Sequence, residues 1–256
     1  MKFLHFIGIL FPLLGCSHAL PNETDYSTHN AGRKTVASYE RSVSGANVHE
    51  LISGKYGQPT ILLDVPLIRQ NPELRYGCEV TSLAMLLQFA KIDVDKMELY
   101  RSIEKDSDPL VKAPSGDIIR WGDPARGFVG DMTGNAAGYA VFDKPMVKLV
   151  NLHLPGRAVN LTGKEFDAVL SHVSKGFPVV VWTTGDYRLP DRWESWLHGS
   201  KVISTPLDLH AVVIVGFDEH HVYINDPMSG QKQARIDKDQ FIVSWRAMQS
   251  RAISYK

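Results

Sequence analysis

Cysteine is scarce in this chain of 256 residues, which contains only Cys16 and Cys78. Two cysteines cannot supply the several bridges of a disulfide-stabilised scaffold, nor the clustered thiolates and imidazoles of a structural zinc site. The sequence also lacks a glycine-rich phosphate-binding motif. We therefore expect neither a metal ion nor an organic cofactor.

An excess of charge of one sign is also absent, because 28 Lys and Arg residues balance 28 Asp and Glu residues. Proteins that bind the phosphate backbone of nucleic acid carry basic runs or basic faces, and this chain has no basic run. Its 44% of hydrophobic and 22% of charged residues are typical of a globular protein. A nucleic-acid partner is therefore not expected.

One apolar stretch, residues 3–14, follows the lysine near the N-terminus. It is short for a membrane span, and a positive start before a short apolar core and small residues is the layout of an export signal. Residues 13–16, LLGC, resemble the lipobox of bacterial lipoproteins, whose cysteine is lipidated. We expect residues 1–15 to form a signal peptide and Cys16 to carry the lipid. Cleavage after Ala19 to give a secreted protein is the alternative.

The polar residues that follow the signal show no sustained periodicity. Residues 16–57 are therefore predicted to form a tether, and residues 58–256 to form the folded domain. Both processing routes predict an extracytoplasmic protein, which is either anchored to the membrane by a lipid or secreted.

Apolar periodicity predicts the main helices and strands. A helix over Cys78–Ala90 is apolar nearly all round, which indicates a buried central helix. Thr162 and Glu165 match a capping box and predict the start of a second helix. Further predicted elements are strands near Ile61–Leu67, Pro178–Trp182, Ala211–Gly216, His221–Asn225 and Ala252–Tyr255, and a helix over Asp237–Met248. A buried early helix followed by hairpin-connected strands indicates an α+β fold.

Two long segments between these elements, Trp121–Gly138 and Asp186–Leu209, are rich in turn-forming residues. They are predicted to be loops. Loops of this length on a rigid scaffold either line a binding cleft or pack against the core.

Cys78 is the candidate nucleophile. It opens the buried helix, where the positive end of the helix dipole favours a thiolate and is expected to lower the thiol pKa. A nucleophilic cysteine needs a base, and His210 stands directly before a buried apolar strand that can hold an imidazole rigidly. It follows Cys78 by 132 residues (210 − 78), within the roughly 130–150 residues that separate the two in papain-type enzymes.

The imidazole in turn needs an orienting group, and a tetrahedral intermediate needs an oxyanion donor. Asp226 ends the strand that pairs with the strand after His210, so the hairpin is expected to bring Asp226 close to His210; Asn225 is the alternative. The Cys78 backbone N–H is one candidate oxyanion donor. The side-chain amide of Gln70, eight residues upstream, is the other.

Several motifs in the sequence closely resemble the C39-like peptidases, and especially their stand-alone extracytoplasmic bacterial subgroup. They are LDVP at 63–66, GCEVTSLAML at 77–86, WGDP at 121–124, GFVGD at 127–131, HAVV at 210–213 and NDP at 225–227. The resemblance covers about residues 60–256. It implies a papain-like cysteine peptidase fold in which the buried N-terminal helix packs on an antiparallel sheet.

The resemblance also implies functional roles, with Cys78 as nucleophile, His210 as base, Asp226 as orienting acid and Gln70 as oxyanion donor. Well-understood members are fused to an ABC exporter and cut leader peptides after a double glycine. This sequence shows neither transporter helices nor an ATP-binding loop, so that substrate is not carried over. We expect an exported cysteine peptidase acting on a peptide or protein. The alternatives are a peptidoglycan endopeptidase or amidase acting on cell-wall peptide with the same triad, and a non-catalytic surface lipoprotein that uses the fold for binding.

Overall fold

The computed structural model describes residues 61–256, so the predicted signal peptide, the lipidated Cys16, the tether and the start of the domain lie outside the described residues. The helices of the described part are α1 (Cys78–Phe89), α2 (Lys96–Ser102), α3 (Asp143–His153), α4 (Phe166–Ser174) and α5 (Lys238–Ala247). Its strands are β1 (Ile61–Leu62), β2 (Lys105–Asp106), β3 (Val111–Lys112), β4 (Ile118–Arg120), β5 (Phe128–Val129), β6 (Ala158–Asn160), β7 (Val179–Thr184), β8 (Trp193–His198), β9 (Lys201–Pro206), β10 (Leu209–Phe217), β11 (His221–Asp226), β12 (Gln231–Asp237) and β13 (Ala252–Tyr255). Within residues 61–256, no helix has the length and apolarity needed to cross a membrane.

A seven-stranded sheet forms the centre of the domain. Its strands follow the order β12-β11-β10-β7-β13-β6, and β1 pairs with the end of β10. All of these pairings are antiparallel. The α+β class predicted from the sequence is confirmed.

Strand β10 shows why helices cover both faces of this sheet. Its side chains point alternately to opposite faces. Ala211, Val213 and Val215 belong to the core that contains α1 and α3, whereas Val212 and Ile214 belong to the core that contains α4 and α5. The apolar run of residues 211–215 in β10 is therefore buried on both sides.

Helix α1 lies in the first of these cores. Every residue from Cys78 to Leu87 is buried, as predicted from the apolar character of nearly all its sides. The Ser82 hydroxyl donates to the Ala211 carbonyl at 3.2 Å, which fixes the helix against β10. The first turn of α1 is thereby held next to the start of the longest strand.

A second sheet has the order β3-β4-β8-β9, and two of its strands, β8 and β9, lie in a segment that the sequence predicted as a long loop. The hairpin of β8 and β9 occupies most of the segment predicted as the second loop, so that prediction is wrong. Trp196 and Ile203 on the inner face of this hairpin pack with Trp121 and Val129 in a separate apolar cluster. Trp196 thus serves packing, one of the two roles considered for this segment, whereas Trp193 is 49% exposed.

Two local predictions are also wrong. The first strand is only Ile61–Leu62 rather than Ile61–Leu67, and it ends before Pro66, which has no N–H to donate. Helix α4 begins after Glu165 without a side-chain cap. The Thr162 hydroxyl instead accepts from the Ala252 N–H at 3.2 Å, because β13 lies beside it.

Candidate active site

Cys78 is the first residue of α1, and Gly77 precedes it as the N-terminal cap. A Cβ atom on Gly77 would lie 2.5 Å from the Cβ of Leu74, so the close turn into the helix requires glycine. The Cys78 side chain is 7% exposed, and Cys78 is the free cysteine of the described residues. The thiol therefore lies at the bottom of a cavity rather than on an open surface.

His210 and Asp226 form the closest ion pair in the core. The His210 Nε2 atom lies 2.7 Å from Asp226 Oδ1, and both side chains are 3% exposed. The antiparallel pairing of β10 with β11 brings the end of the second strand back to the start of the first. The sequence predicted this approach from the hairpin alone.

The Asp226 carboxylate is held by several further donors. Its Oδ1 accepts the Met228 N–H at 2.8 Å, and its Oδ2 accepts the hydroxyls of Ser229 at 2.6 Å and Tyr187 at 3.0 Å. Burial by itself raises the pKa of Asp226, but the hydrogen bond and charge of His210, with the hydrogen bonds from Ser229 and Met228, hold that pKa well below its usual range. Asp226 is therefore an anion that can orient an imidazole.

Asn225, the alternative orienting residue, has a structural task instead. Its Nδ2 donates to the Val65 carbonyl at 3.0 Å, and its Oδ1 accepts the Gln233 N–H at 2.9 Å. The side chain thus ties the segment after β1 and strand β12 to β11. Of the two residues, Asp226 is the one that contacts His210.

The bond to Asp226 determines the tautomer of neutral His210. A carboxylate can only accept, so Nε2 carries the proton and Nδ1 is left with its lone pair. His210 and Cys78 both line one cavity of about 470 Å³. Nδ1 is therefore the ring nitrogen that can take a proton, on a residue that shares its cavity with the thiol.

Gln70 lines the same cavity and is 2% exposed. Its backbone N–H donates to the Pro227 carbonyl at 2.9 Å, which places the residue beside the end of β11. One side-chain N–H donates to the Arg75 carbonyl at 2.8 Å. A primary amide has a second N–H, so this contact leaves a donor for a developing oxyanion.

The expectation of a lowered Cys78 pKa is wrong for this arrangement. Burial raises the pKa of the Cys78 thiol well above its usual value, and the neighbouring Glu79 carboxylate raises it further. The backbone N–H of Ala211, hydrogen-bonded to Sγ, has a smaller opposing effect. Loss of water around the thiol thus outweighs its position at a helix start, and Cys78 rests as a neutral thiol.

Sequence reasoning did not single out Glu79, Tyr139 or Tyr187. Glu79 is fully buried and contacts the thiol, Tyr139 lines the cavity, and Tyr187 holds Asp226. A signal for Glu79 was present, because it is the one charged residue of an otherwise apolar or neutral helix. The two tyrosines reach the site from distant segments and carry no local signal.

Asp106, Asp108 and His198 are the residues of the described region that could offer three ligand atoms to a metal ion. Arg126 lies 3.8 Å from the Asp106 carboxylate, and Arg120 lies 3.2 Å from that of Asp108. These guanidinium groups already neutralise the carboxylates. None of the three residues lines the cavity that contains Cys78.

Comparisons with known proteins identify the family of this chain. The model of the family described as Peptidase_C39 like matches residues 62–253. The Bacillus subtilis protein YvpB, described as uncharacterized, is 36% identical over 222 residues, which are 86% of this chain and 84% of YvpB. A crystal structure described as that of a C39-like peptidase from Bacillus anthracis is 37% identical and superposes with a TM-score of 0.71, covering 78% of this chain and 98% of the other. This chain therefore belongs to the C39-like peptidase family, and its fold is that of a papain-like peptidase.

Proposed function

We propose that this protein is an exported cysteine peptidase that hydrolyses peptide bonds through Cys78, His210 and Asp226. The observation that carries the proposal is the 2.7 Å contact between His210 Nε2 and Asp226 Oδ1. It leaves Nδ1 of His210 as the proton acceptor, and His210 and Cys78 line the same cavity. A buried thiol, an oriented base and an anion behind that base are the three parts that nucleophilic acyl transfer requires.

The first step is transfer of the thiol proton. Because Cys78 rests as a neutral thiol, the proton passes from Sγ to His210 Nδ1 as the substrate carbonyl reaches the sulfur. Asp226 stabilises the imidazolium that forms, since it stays anionic. Sγ then bonds to the carbonyl carbon, and the carbonyl π electrons move to its oxygen.

The oxyanion that results needs donors already in place. The backbone N–H of Cys78 lies in the first turn of α1, where it has no partner within the helix. The second N–H of the Gln70 amide is the other donor. Its first N–H is bonded to the Arg75 carbonyl, which fixes the plane of the amide.

Collapse of the intermediate breaks the C–N bond. His210 Nδ1–H gives its proton to the leaving amine, and the acyl group stays on Sγ as a thioester. Water then attacks the thioester while His210 accepts one of its protons, and that proton returns to the sulfur as the acid leaves. All proton transfers use the same nitrogen.

In the experiment, the full chain is incubated with a peptide library and with purified cell-wall peptide fragments. The products are identified by mass spectrometry. The Cys78→Ala variant should lose all cleavage and keep its fold, because a small side chain replaces another. The Cys16→Ser variant is the matched control, since it removes the other thiol and should cleave normally. If no peptide or cell-wall fragment is cleaved, the peptidase proposal is contradicted and the non-catalytic binding role is favoured. Cleavage of cell-wall fragments alone would make it a peptidoglycan endopeptidase or amidase.

We further propose that the protein acts outside the cytoplasm, where a lipid on Cys16 anchors it to the membrane. The layout of residues 1–15 and the LLGC motif support this proposal. A diacylglyceryl group is a firm anchor, whereas a single acyl chain binds only marginally. The native protein should therefore fractionate with membranes, and Cys16→Ser should release it or stall its processing. Detection of a mature N-terminus at Leu20 would contradict the lipid anchor and show that the protein is secreted.

A further inference from the structure

Glu79 is a carboxylate in the apolar core, directly after the candidate nucleophile, and its side chain is fully buried. Burying a carboxylate is costly unless hydrogen bonds compensate. Its Oε1 accepts the Val141 backbone N–H at 3.0 Å, and its Oε2 accepts from the Cys78 Sγ at 3.4 Å. Among residues 61–256, no Lys, Arg or His forms an ion pair with it.

The Val141 contact fixes the direction of the Glu79 carboxyl. Val141 is itself held in place, because the Trp182 Nε1–H of the central sheet donates to its carbonyl at 3.0 Å. With one carboxyl oxygen tied to the Val141 N–H, the other faces Sγ. Glu79 Oε2 has no role in the proposed peptide hydrolysis, although it contacts the reacting Cys78 Sγ atom.

The other titratable groups around this pair lie on three elements. Tyr139, from the segment before α3, feels the Glu79 charge and has its own pKa raised mainly by burial. His210 on β10 shares the cavity with the thiol, and Asp226 on β11 adds a weak charge effect on Cys78. None of these groups supplies a cation fixed on Glu79.

Burial raises the pKa of Glu79 to about 7, so both of its forms are populated near neutral pH. The two forms affect the thiol oppositely. The anion accepts the S–H proton and repels a negative charge on sulfur, whereas the neutral acid does neither.

We propose that Glu79 is a positioning residue that controls the ionisation of Cys78: its carboxylate keeps the proton on the thiol, and protonation of the carboxylate lets that proton pass to His210. The inference rests on Cys78 being the nucleophile of the proposed function. When Glu79 is neutral, the S–H proton moves to His210 Nδ1 and leaves a thiolate beside an imidazolium. When Glu79 is anionic, the same transfer would place two negative charges within 3.4 Å of each other.

The test is the rate of Cys78 alkylation by iodoacetamide as a function of pH, followed on the peptide that contains Cys78 so that Cys16 does not contribute. In this reaction the S–C bond forms, iodide leaves, and the thiol proton passes to the base or buffer. Glu79→Gln keeps the acceptor for Val141 and replaces the anionic oxygen with an N–H donor facing Sγ. Because a like charge at this distance changes a pKa by about one unit or more, the alkylation midpoint should fall by at least about one pH unit. The rate should rise about tenfold near pH 9, where native Glu79 is anionic, and only about twofold at pH 7, where about half of it is already neutral.

Glu104→Gln is the matched control, because it removes one negative charge from an exposed pair with Lys148. Its alkylation profile should equal that of the native protein. A folded Glu79→Gln protein with an unchanged midpoint would overturn the proposal, whatever its melting temperature. If Glu79→Gln does not fold, the alkylation profile of His210→Ala is the test. Titration of Glu79 beside the thiol should make the alkylation rate rise with pH in two steps, and a rise in a single step contradicts the proposal. Alkylation requires no peptide cleavage, so failure of the peptidase assignment would leave this result intact.

Discussion

The Nε2 atom of His210 lies 2.7 Å from the Oδ1 atom of Asp226, with both side chains buried. This single contact links the topology of the sheet to the chemistry of the site. Antiparallel pairing of β10 and β11 creates it, and it leaves His210 Nδ1 as the proton acceptor. The consequences for activity and for stability can be measured separately.

Asp226→Asn should reduce peptide hydrolysis by about ten- to a hundredfold. The amide keeps an acceptor oxygen for His210 Nε2–H but no longer stabilises the imidazolium by charge. The loss should be smaller than the ~10⁴-fold cost of the wrong tautomer in a serine triad, provided the amide oxygen faces the ring. Steady-state kinetics on the best library peptide measure this. Full activity of the variant would remove Asp226 from the mechanism.

The same substitution should alter stability in a pH-dependent way. The pKa of Asp226 is lowered in the folded protein by His210 and the donors around it, so its anion contributes stability above the ordinary aspartate pKa. That contribution is lost as the pH falls through the lowered value. Urea unfolding should therefore show a larger gap between native protein and Asp226→Asn at pH 6 than at pH 3. An equal gap at both pH values contradicts the pKa shift.

The contribution of Glu79 to stability should change with pH in the opposite direction to that of Asp226. Its pKa is raised from 4.5 to about 7 by burial, so the folded protein binds its proton more tightly than the unfolded chain does. The stability from this group is complete below pH 4.5 and is lost as the pH rises through about 7. Ionisation of Glu79 thus lowers the free energy of unfolding by on the order of 3 kcal/mol. Glu79→Gln should be more stable than the native protein at pH 8 and gain little at pH 4. Urea unfolding at the two pH values measures this, and an equal gain at both would mean that Glu79 does not titrate in this range.

Gln70→Ala should separate binding of the oxyanion from reactivity of the thiol. Removal of one oxyanion donor reduces acyl transfer by about 10²–10³-fold. Alkylation by iodoacetamide forms no tetrahedral oxyanion, so its rate should remain near that of the native protein. Parallel losses in alkylation and hydrolysis would show that the Gln70 side chain only supports the structure, through its bond to the Arg75 carbonyl.

Gly77→Ala tests the turn that presents Cys78. The added methyl would lie 2.5 Å from Leu74 Cβ, so the loop must move, and overpacking of this kind costs about 1–3 kcal/mol. Gly185→Ala is the control, because the nearest atom there, Met228 Cε, lies at 3.7 Å. Thermal unfolding should show a lower melting temperature for Gly77→Ala alone. Equal melting temperatures would show that the turn is not tightly constrained.

The sequence predicted the central helix and the hairpin well because their signals are local. Residues 78–87 are apolar or small at nearly every position, and the structure buries all of them. Residues 211–216 form an unbroken apolar strand, followed by a short turn and a second strand that ends at Asp226. Those two elements bring His210 and Asp226 together, so their proximity could be predicted without coordinates.

The parts that the sequence missed depend on contacts between distant segments. Helix α3 and the pair β8–β9 lie in stretches where turn residues and polar side chains mask the periodicity. Thr162 matched a capping box, yet its hydroxyl pairs with Ala252, ninety positions away. The raised Cys78 pKa arises from burial and from Glu79, and Glu79 in turn is fixed by Val141. No local pattern reports such contacts.

Trapping the acyl-enzyme tests the central claim most directly. The full chain would be mixed with the best library peptide and quenched in acid within a turnover, and its peptides would be mapped by mass spectrometry. The account predicts a thioester on Cys78 that carries the N-terminal part of the substrate, and it predicts neither adduct nor cleavage in Cys78→Ala. Cleavage that persists in Cys78→Ala would contradict the account.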